Sequence, residues 1–244
     1  MEAIGRRERK KAQTHRLIAA TAARLFAGRG YEKVTVADVA RAADVSVQTV
    51  YNYFPTKEHL VLDQEEEFRD RFVTQIRNRA PGTSPAAAIR EEALTLAESV
   101  QAIPPDQIRG ELGYLAAISP TIHRLSLEMT DRLADAIAAA IASTTPGTDP
   151  GLAKVEGIAL AWVSQTIIDE VGQRLRDGQD PGRITAGLRP MVKAIIDDLD
   201  RWLSGRSGLA TAPPPHRTNP VSAEERSPGH PQPPGSGDVS TSWP

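Results

Sequence analysis

Apolar residues recur at helical spacing along most of the first 204 positions, and no segment shows the strict alternation typical of a β-strand. Glycine and proline residues mark the ends of the predicted helices, as at Gly28 and Gly30 after the first apolar stripe and at Pro104-Pro105 further on. We therefore expect an all-α protein. Its longer predicted helices cover residues 10–27, 57–79, 86–102, 106–118, 121–143, 152–176 and 183–203.

Two shorter helices are predicted between residues 35 and 53. Thr35 followed by Asp38 is a variant of the capping box and places a helix start at Val36. Ser46 marks a second start, so residues 43–45 form a tight connection. The small core between the two helices should consist of Val39, Ala40, Val45 and Val50.

This arrangement predicts a helix-turn-helix, because the second helix presents its polar side away from that small core. The N-terminal residues of such a helix fit the major groove of DNA. The side chains predicted to point outward are Ser46, Val47, Gln48, Thr49, Tyr51 and Asn52.

The charge of the chain is divided between a basic start and an acidic remainder. The net charge is −2, but residues 1–60 carry a balance of +5 and residues 61–244 a balance of −7. A basic head on an acidic body indicates that only the head meets a polyanion. The cations Arg6, Arg7, Arg9, Lys10 and Lys11 form either an arm that contacts DNA or a solvated, frayed end, and both interpretations stay open.

Composition narrows the possible functions. The chain has no cysteine, which excludes disulfides, thiolate metal sites and cysteine nucleophiles and is compatible with the cytoplasm. There is no apolar run of membrane-spanning length, no secretory signal, no histidine cluster and no phosphate loop. We expect no enzyme activity, no catalytic or metal site, no cofactor and no membrane partner. Residues 205–244 hold 9 Pro and 5 Gly, which predicts a disordered tail.

The segment Phe26-Ala-Gly-Arg-Gly-Tyr31, with Val34 to Leu60 after it, resembles the TetR family of bacterial regulators. The resemblance lies in the glycine–tyrosine pair, the Thr-Val start, the Val-Ser turn and the Tyr-Asn-Tyr-Phe run before Lys-Glu. Asp44 replaces the glycine of many members, and we expect the turn to survive because Asp tolerates left-handed backbone. Ala37 stands where some members carry a base-contacting arginine. The Ala-, Arg- and Pro-rich composition resembles actinobacterial regulators.

The resemblance implies a three-helix DNA-binding domain with its arm over residues 1–56 and a larger helical ligand-binding and dimerisation domain over 57–204. By position, Val47, Gln48, Thr49 and Tyr51 correspond to base contacts and Thr35, Tyr53 and Lys57 to phosphate contacts; Ser46 and Asn52 complete the candidate DNA-binding set. Gln48 is the best candidate reader, since an amide can pair bidentately with adenine. Phe54 is expected in the core.

The resemblance also implies partners: double-stranded operator DNA, a second copy paired through the helices near 152–176 and 183–203, and an unidentified small molecule. Polar or aromatic groups inside apolar helices are the candidate ligand residues: Tyr114, His123, Trp162, Gln165, Thr166 and Asp169. The interpretation is a repressor that a small molecule releases from a palindromic operator. An activator, a ligand-independent regulator, and a helical scaffold that recruits partners through its tail remain alternatives.

Overall fold

Nine α-helices, and no strand, make up most of residues 2–207, the part of the chain whose backbone the computed structural model describes; side chains are described for residues 9–204. The all-α expectation is confirmed. The predicted disordered tail lies outside the described residues from position 208 onward. The helices are α1 (Glu2–Arg29), α2 (Val36–Ala42), α3 (Val47–Tyr53), α4 (Glu65–Arg77), α5 (Pro85–Ser99), α6 (Leu112–Ile118), α7 (Pro120–Thr144), α8 (Pro150–Arg176) and α9 (Pro181–Ser207).

The predicted single helix over 57–79 is wrong. The chain instead makes a 3₁₀ turn at Glu58–Leu60, and α4 begins only at Glu65. Leu60 is buried in the core of the first three helices, whereas Leu62 packs against Met129 and Ile168 elsewhere. The helix expected over 106–118 is likewise split, into a 3₁₀ turn at Ile108–Gly110 and α6.

The first helix is longer at both ends than its apolar stripe predicts. It begins at Glu2, so the backbone of the basic residues 6–11 is helical and continuous with α1 instead of forming a separate arm. Gly28 lies inside the helix and does not end it. Gly30, which follows the end of the helix, has φ of 81°, a positive backbone angle that favours glycine.

A small head is formed by α1, α2, α3 and the turn at Glu58–Leu60. Val39, Ala40 and Val50 are buried as expected, and Val45 packs against them from a half-buried position. Phe54, at the end of α3, is also in this core. The core extends into the rest of the molecule, because it includes Leu115, Ala116 and Ile122.

The remaining helices, α4 to α9, form a larger body. The buried residues of its apolar core come mainly from α4, α5, α7, α8 and α9, and Tyr114 of α6 packs against them. Within it α7 packs along α8 through Leu133, Ile137 and Leu160. α8 and α9 are joined by a turn over residues 177–180 and form an antiparallel hairpin, with Arg174 Nη1 near Ile184 O at 3.4 Å. Among residues 2–207 no helix is both long and apolar enough to cross a lipid bilayer.

Head and body meet where α1 touches the turn before α6. A Cβ atom added to Gly110 would overlap the carbonyl oxygen of Ala23, so the two backbones are in direct contact. Two carboxyl groups also lie at this seam. Burial raises the pKa of Glu111, and the charge of Asp63 adds to the shift. Burial raises the pKa of Asp63 as well, against the opposing influence of His15, whose Nδ1 lies 4.0 Å from Asp63 Oδ2.

Glu111→Gln is expected to raise the thermal midpoint of unfolding at about pH 7.5. A carboxyl whose pKa is raised by folding binds its proton more tightly in the folded chain. The free energy of unfolding therefore falls as pH rises from about 4 through the raised pKa. Glutamine at position 111 carries no charge, so the variant does not lose this part of its free energy of unfolding. The difference in midpoint between the variant and the original protein should therefore shrink as the pH approaches about 4.

Circular dichroism melts of both proteins across this pH range test the effect. Glu91→Gln, at an exposed position in the middle of α5, is the matched control and should leave the midpoint unchanged. A gain in Glu111→Gln that does not depend on pH, or a loss of stability near neutral pH, would contradict the burial argument.

Candidate nucleic-acid interface

The start of α2 is fixed by a reciprocal capping box, as the sequence predicts. The Asp38 backbone N–H donates to Thr35 Oγ1 at 3.1 Å, and the Thr35 backbone N–H donates to Asp38 Oδ2 at 3.0 Å. The Thr35 hydroxyl in turn donates to Asp38 Oδ2 at 2.6 Å. This hydrogen bond is the main reason that the pKa of Asp38 is lowered. Thr35 is exposed, but its polar groups are engaged with a carboxylate in the DNA-free chain.

The turn between α2 and α3 depends on one residue with left-handed backbone. Asp44 has φ of 53°, and among the described residues it is the non-glycine residue with positive φ. The expectation that Asp44 would support the turn is therefore confirmed. The Val45 backbone N–H then donates to Ala40 O at 3.0 Å, which holds the two helices at a tight spacing.

Ser46 caps α3, also as predicted. The Thr49 backbone N–H donates to Ser46 Oγ at 2.9 Å, and the two hydroxyls are 2.8 Å apart. The hydroxyls of Ser46 and Thr49 thus bond to each other at the first turn of the helix. Their local role is to set where α3 begins and in which direction it points.

One face of α3 is buried and the opposite face is open. Val50 is fully buried, whereas Val47 is 40% exposed and Tyr51 is 45% exposed. Gln48 and Asn52 are exposed beside them, and Gln48 Nε2 donates to Asn52 Oδ1 at 3.1 Å. Positions 47 and 51, and 48 and 52, are each one turn apart, so the four side chains form one continuous surface. This surface carries apolar groups together with amide donors and acceptors, the chemistry that recognises base edges.

Two predicted phosphate contacts lie against the head in this structure. Tyr53 is half-buried and meets the ring of His15 edge-on at 6.2 Å. Lys57 precedes the 3₁₀ turn at Glu58–Leu60 instead of opening a long helix. Its ammonium nitrogen lies 3.9 Å from the centre of the Tyr31 ring, a cation–π contact.

Sequence reasoning missed the contact that holds α3 to α1. His15 stacks on Phe54 with ring centroids 4.6 Å apart, which ties the end of the second short helix to the first long one. It also missed Arg41, an exposed guanidinium on α2 whose Nη1 lies 3.3 Å from Asp38 Oδ1. The spacing of Asp38 and Arg41, three residues apart on a helix, is a signal that could have identified this pair.

The six candidate ligand residues are not gathered at one place. Gln165 is fully buried and bonds to Thr130 Oγ1 at 2.8 Å, and its Nε2 donates to Asp169 Oδ1 at 2.8 Å. Trp162 is 45% exposed, and Thr166 donates its hydroxyl to Trp162 O. His123 is exposed, and Tyr114 is half-buried beside Arg109. None of the six lines the cleft of about 490 Å³ between α1 and the body.

Comparison with known proteins finds a family match within the first 63 residues. The family profile described as "Bacterial regulatory proteins, tetR family" matches residues 18–63, which include α2, α3 and the C-terminal part of α1. A Bacillus subtilis protein described as the uncharacterized HTH-type transcriptional regulator YuxN is 35% identical over 89 residues, covering 36% of this chain and 31% of its own length. The HTH-type transcriptional repressor KstR of Rhodococcus jostii is 33% identical over 102 residues, covering 42% and 46%. The match thus spans less than half of either relative.

A solved structure extends the similarity of fold to the body. Native NalD of Pseudomonas aeruginosa, described as the secondary repressor of the MexAB-OprM multidrug efflux pump, aligns with 75% of this chain and 96% of its own. The TM-score is 0.50 and the sequence identity is 17%, so this similarity concerns the fold alone. The capped helix-turn-helix described above therefore lies within a segment, residues 18–63, that is similar to the TetR family of bacterial regulatory proteins.

Proposed function

We propose that this protein is a DNA-binding transcriptional regulator that acts as a repressor, with α3 as the helix that enters the major groove. The observation that carries the proposal is the open face of α3, where Val47, Gln48, Tyr51 and Asn52 project from a helix whose other face is buried. The basic balance of residues 1–60 supports it, because phosphate attraction supplies much of the affinity for DNA. The names of KstR and NalD as repressors favour repression over activation.

Each side chain on and around α3 has a proposed role. Gln48 reads adenine through its amide, and Asn52, which bonds to it, holds the amide in position and adds a second polar group. Val47 packs on a thymine methyl group, and Tyr51 contacts bases beside it. The phosphate contacts come from Thr35, Tyr53 and Lys57, with Ser46 and Thr49 fixing the first turn of the helix. For Thr35 the contact requires its hydroxyl to turn away from Asp38.

The proposed partner of the body is a second copy of the chain. On α8, Val155, Ile158 and Trp162 are 50%, 40% and 45% exposed and lie on one stripe of the helix. Trp202, on the adjacent α9, is 40% exposed. A two-fold pair of α8–α9 hairpins would bury these residues and place two heads on two half-sites of a palindromic operator. A small molecule bound in the body, contacted by residues such as Gln165, is the proposed signal for release.

A mobility shift with DNA from upstream of the protein's own gene tests this function. It should be run at two salt concentrations with excess non-specific competitor. A discrete complex that resists the competitor is the expected result. If no fragment of a genome-wide library forms such a complex, the proposal is wrong.

Gln48→Ala is expected to weaken operator binding by about 1–3 kcal/mol and to relax the base preference at one position of each half-site. Lys57→Ala is the matched comparison: it should weaken binding to all sequences alike and reduce the salt slope by about one. Titrations by fluorescence anisotropy against a panel of single-base operator variants separate the two effects. An unchanged base preference in Gln48→Ala would refute the reading role, and a sequence-selective loss in Lys57→Ala would refute a phosphate role.

A further inference from the structure

The seam between head and body opens into a cleft of about 490 Å³ that the proposed function does not use. Three segments line it: the C-terminal end of α1, residues 103–109, and the turn between α8 and α9. Much of its wall is apolar, and its volume falls in the range of about 300–1,000 Å³ typical of small-molecule sites. The apolar lining residues are Ala27, Ile103, Pro105, Ile108, Leu175 and Pro181.

Two arginines flank this seam. Arg24 follows Ala23 on α1, and Arg109 precedes Gly110, the residue whose backbone touches Ala23. The two arginines therefore start from opposite sides of the closest approach between head and body, and both line the cleft.

The guanidinium groups have few partners among the described residues. Arg24 Nη2 donates to Thr21 Oγ1 at 3.2 Å, and Arg109 lies 6.0 Å from the centre of the Tyr114 ring. Neither forms an ion pair within the part of the chain whose side chains are described, although Asp106 also lines the cleft. Both arginines are exposed, so most of their N–H donors face solvent or the cleft. The cleft thus combines an apolar wall with an excess of positive charge.

We propose that this cleft binds an amphipathic anion, a small molecule with an apolar body and one carboxylate or phosphate group. The anionic group bridges Arg24 and Arg109, because a planar guanidinium is suited to both anions and each bond is charge-assisted. The apolar body lies on Ile103, Ile108 and Leu175. Since Arg24 belongs to the head and Arg109 to the body, an occupied cleft links the two, and its effect on DNA binding rests on the proposed function.

Isothermal titration calorimetry on the full chain without DNA tests the site, with decanoate and decyl phosphate as the anionic probes. Decan-1-ol and decyltrimethylammonium carry the same chain with a neutral and a cationic group. At least one anion is expected to bind, and the alcohol and the cation at least about tenfold more weakly. Arg24→Gln and Arg109→Gln should each lower the affinity for the anion by about tenfold or more. Arg77→Gln, an exposed arginine on α4 away from the cleft, should leave it unchanged.

Three results would overturn the proposal: no binding of either anion, equal binding of all head groups, or full affinity in both cleft variants. Each variant is checked by its melting curve, and substitution of an exposed arginine by glutamine should leave the fold intact. The calorimetry contains no DNA, so its outcome is separate from that of the operator experiment. Arginine-dependent binding without any operator would leave the site standing and refute only its regulatory consequence.

Discussion

Ile158→Asp is expected to abolish dimerisation and, with it, tight operator binding. An unpaired carboxylate at the centre of an apolar interface costs several kcal/mol, so the dissociation constant of the dimer should rise by about a hundredfold or more. Each head would then bind its half-site alone and lose the advantage of simultaneous contact. Because Ile158 is already 40% exposed, the fold of the single chain should be little affected. Sedimentation equilibrium and fluorescence anisotropy measure the two effects.

Ile118→Asp is the matched control for this change. Ile118 is 47% exposed, comparable to Ile158, but it lies at the end of α6 instead of on the α8–α9 surface. The control should remain dimeric and keep its operator affinity. A dimer that persists in Ile158→Asp with normal DNA binding would show that the two-fold interface is elsewhere.

Gly172→Ala is expected to lower the free energy of unfolding by about 2–3 kcal/mol. A Cβ atom at this position of α8 would overlap the carbonyl oxygen of Gly113 on α6 and would approach Ala117 Cβ to 3.1 Å. Both contacts are with rigid parts of α6, so the two helices must separate. The midpoint of thermal unfolding should fall by roughly 5–10 °C.

Gly28→Ala separates this steric effect from the general preference of helices for alanine. Gly28 also lies inside a helix, but a Cβ atom added there meets nothing within 4 Å. This variant should be neutral or more stable by up to about 1 kcal/mol, since alanine favours the helix. An equal effect of the two substitutions would contradict the close contact between α6 and α8.

Features set by local chemistry could be predicted from the sequence. The capping box of Thr35 and Asp38, the cap at Ser46 and the left-handed Asp44 each depend on residues within a few positions of one another. These three signals were sufficient to define the helix-turn-helix and the outward face of α3. The apolar stripes of α7 and α8 likewise gave their bounds to within about two residues.

Features set by tertiary packing could not be predicted in the same way. No glycine or proline marks the break between Leu60 and Glu65, so the local sequence carries no signal for it. Leu60 and Leu62 are buried in different apolar clusters. The burial of the candidate ligand residues also could not be predicted from the sequence. Gln165 and Trp162 are three residues apart on α8, yet Gln165 is fully buried and Trp162 is exposed. The difference arises because α7 packs over Gln165, which bonds to Thr130 of that helix, while Trp162 lies on the outer surface.

Selection from a random-sequence duplex library by the full chain tests whether the head reads a specific DNA sequence through α3. We expect enrichment of an inverted repeat, with half-sites about one helical turn apart or a multiple of it. Repeating the selection with Gln48→Ala should alter the preferred base at one position of each half-site. Recovery of no sequence above the starting library, or an identical preference in the variant, would refute sequence reading by α3.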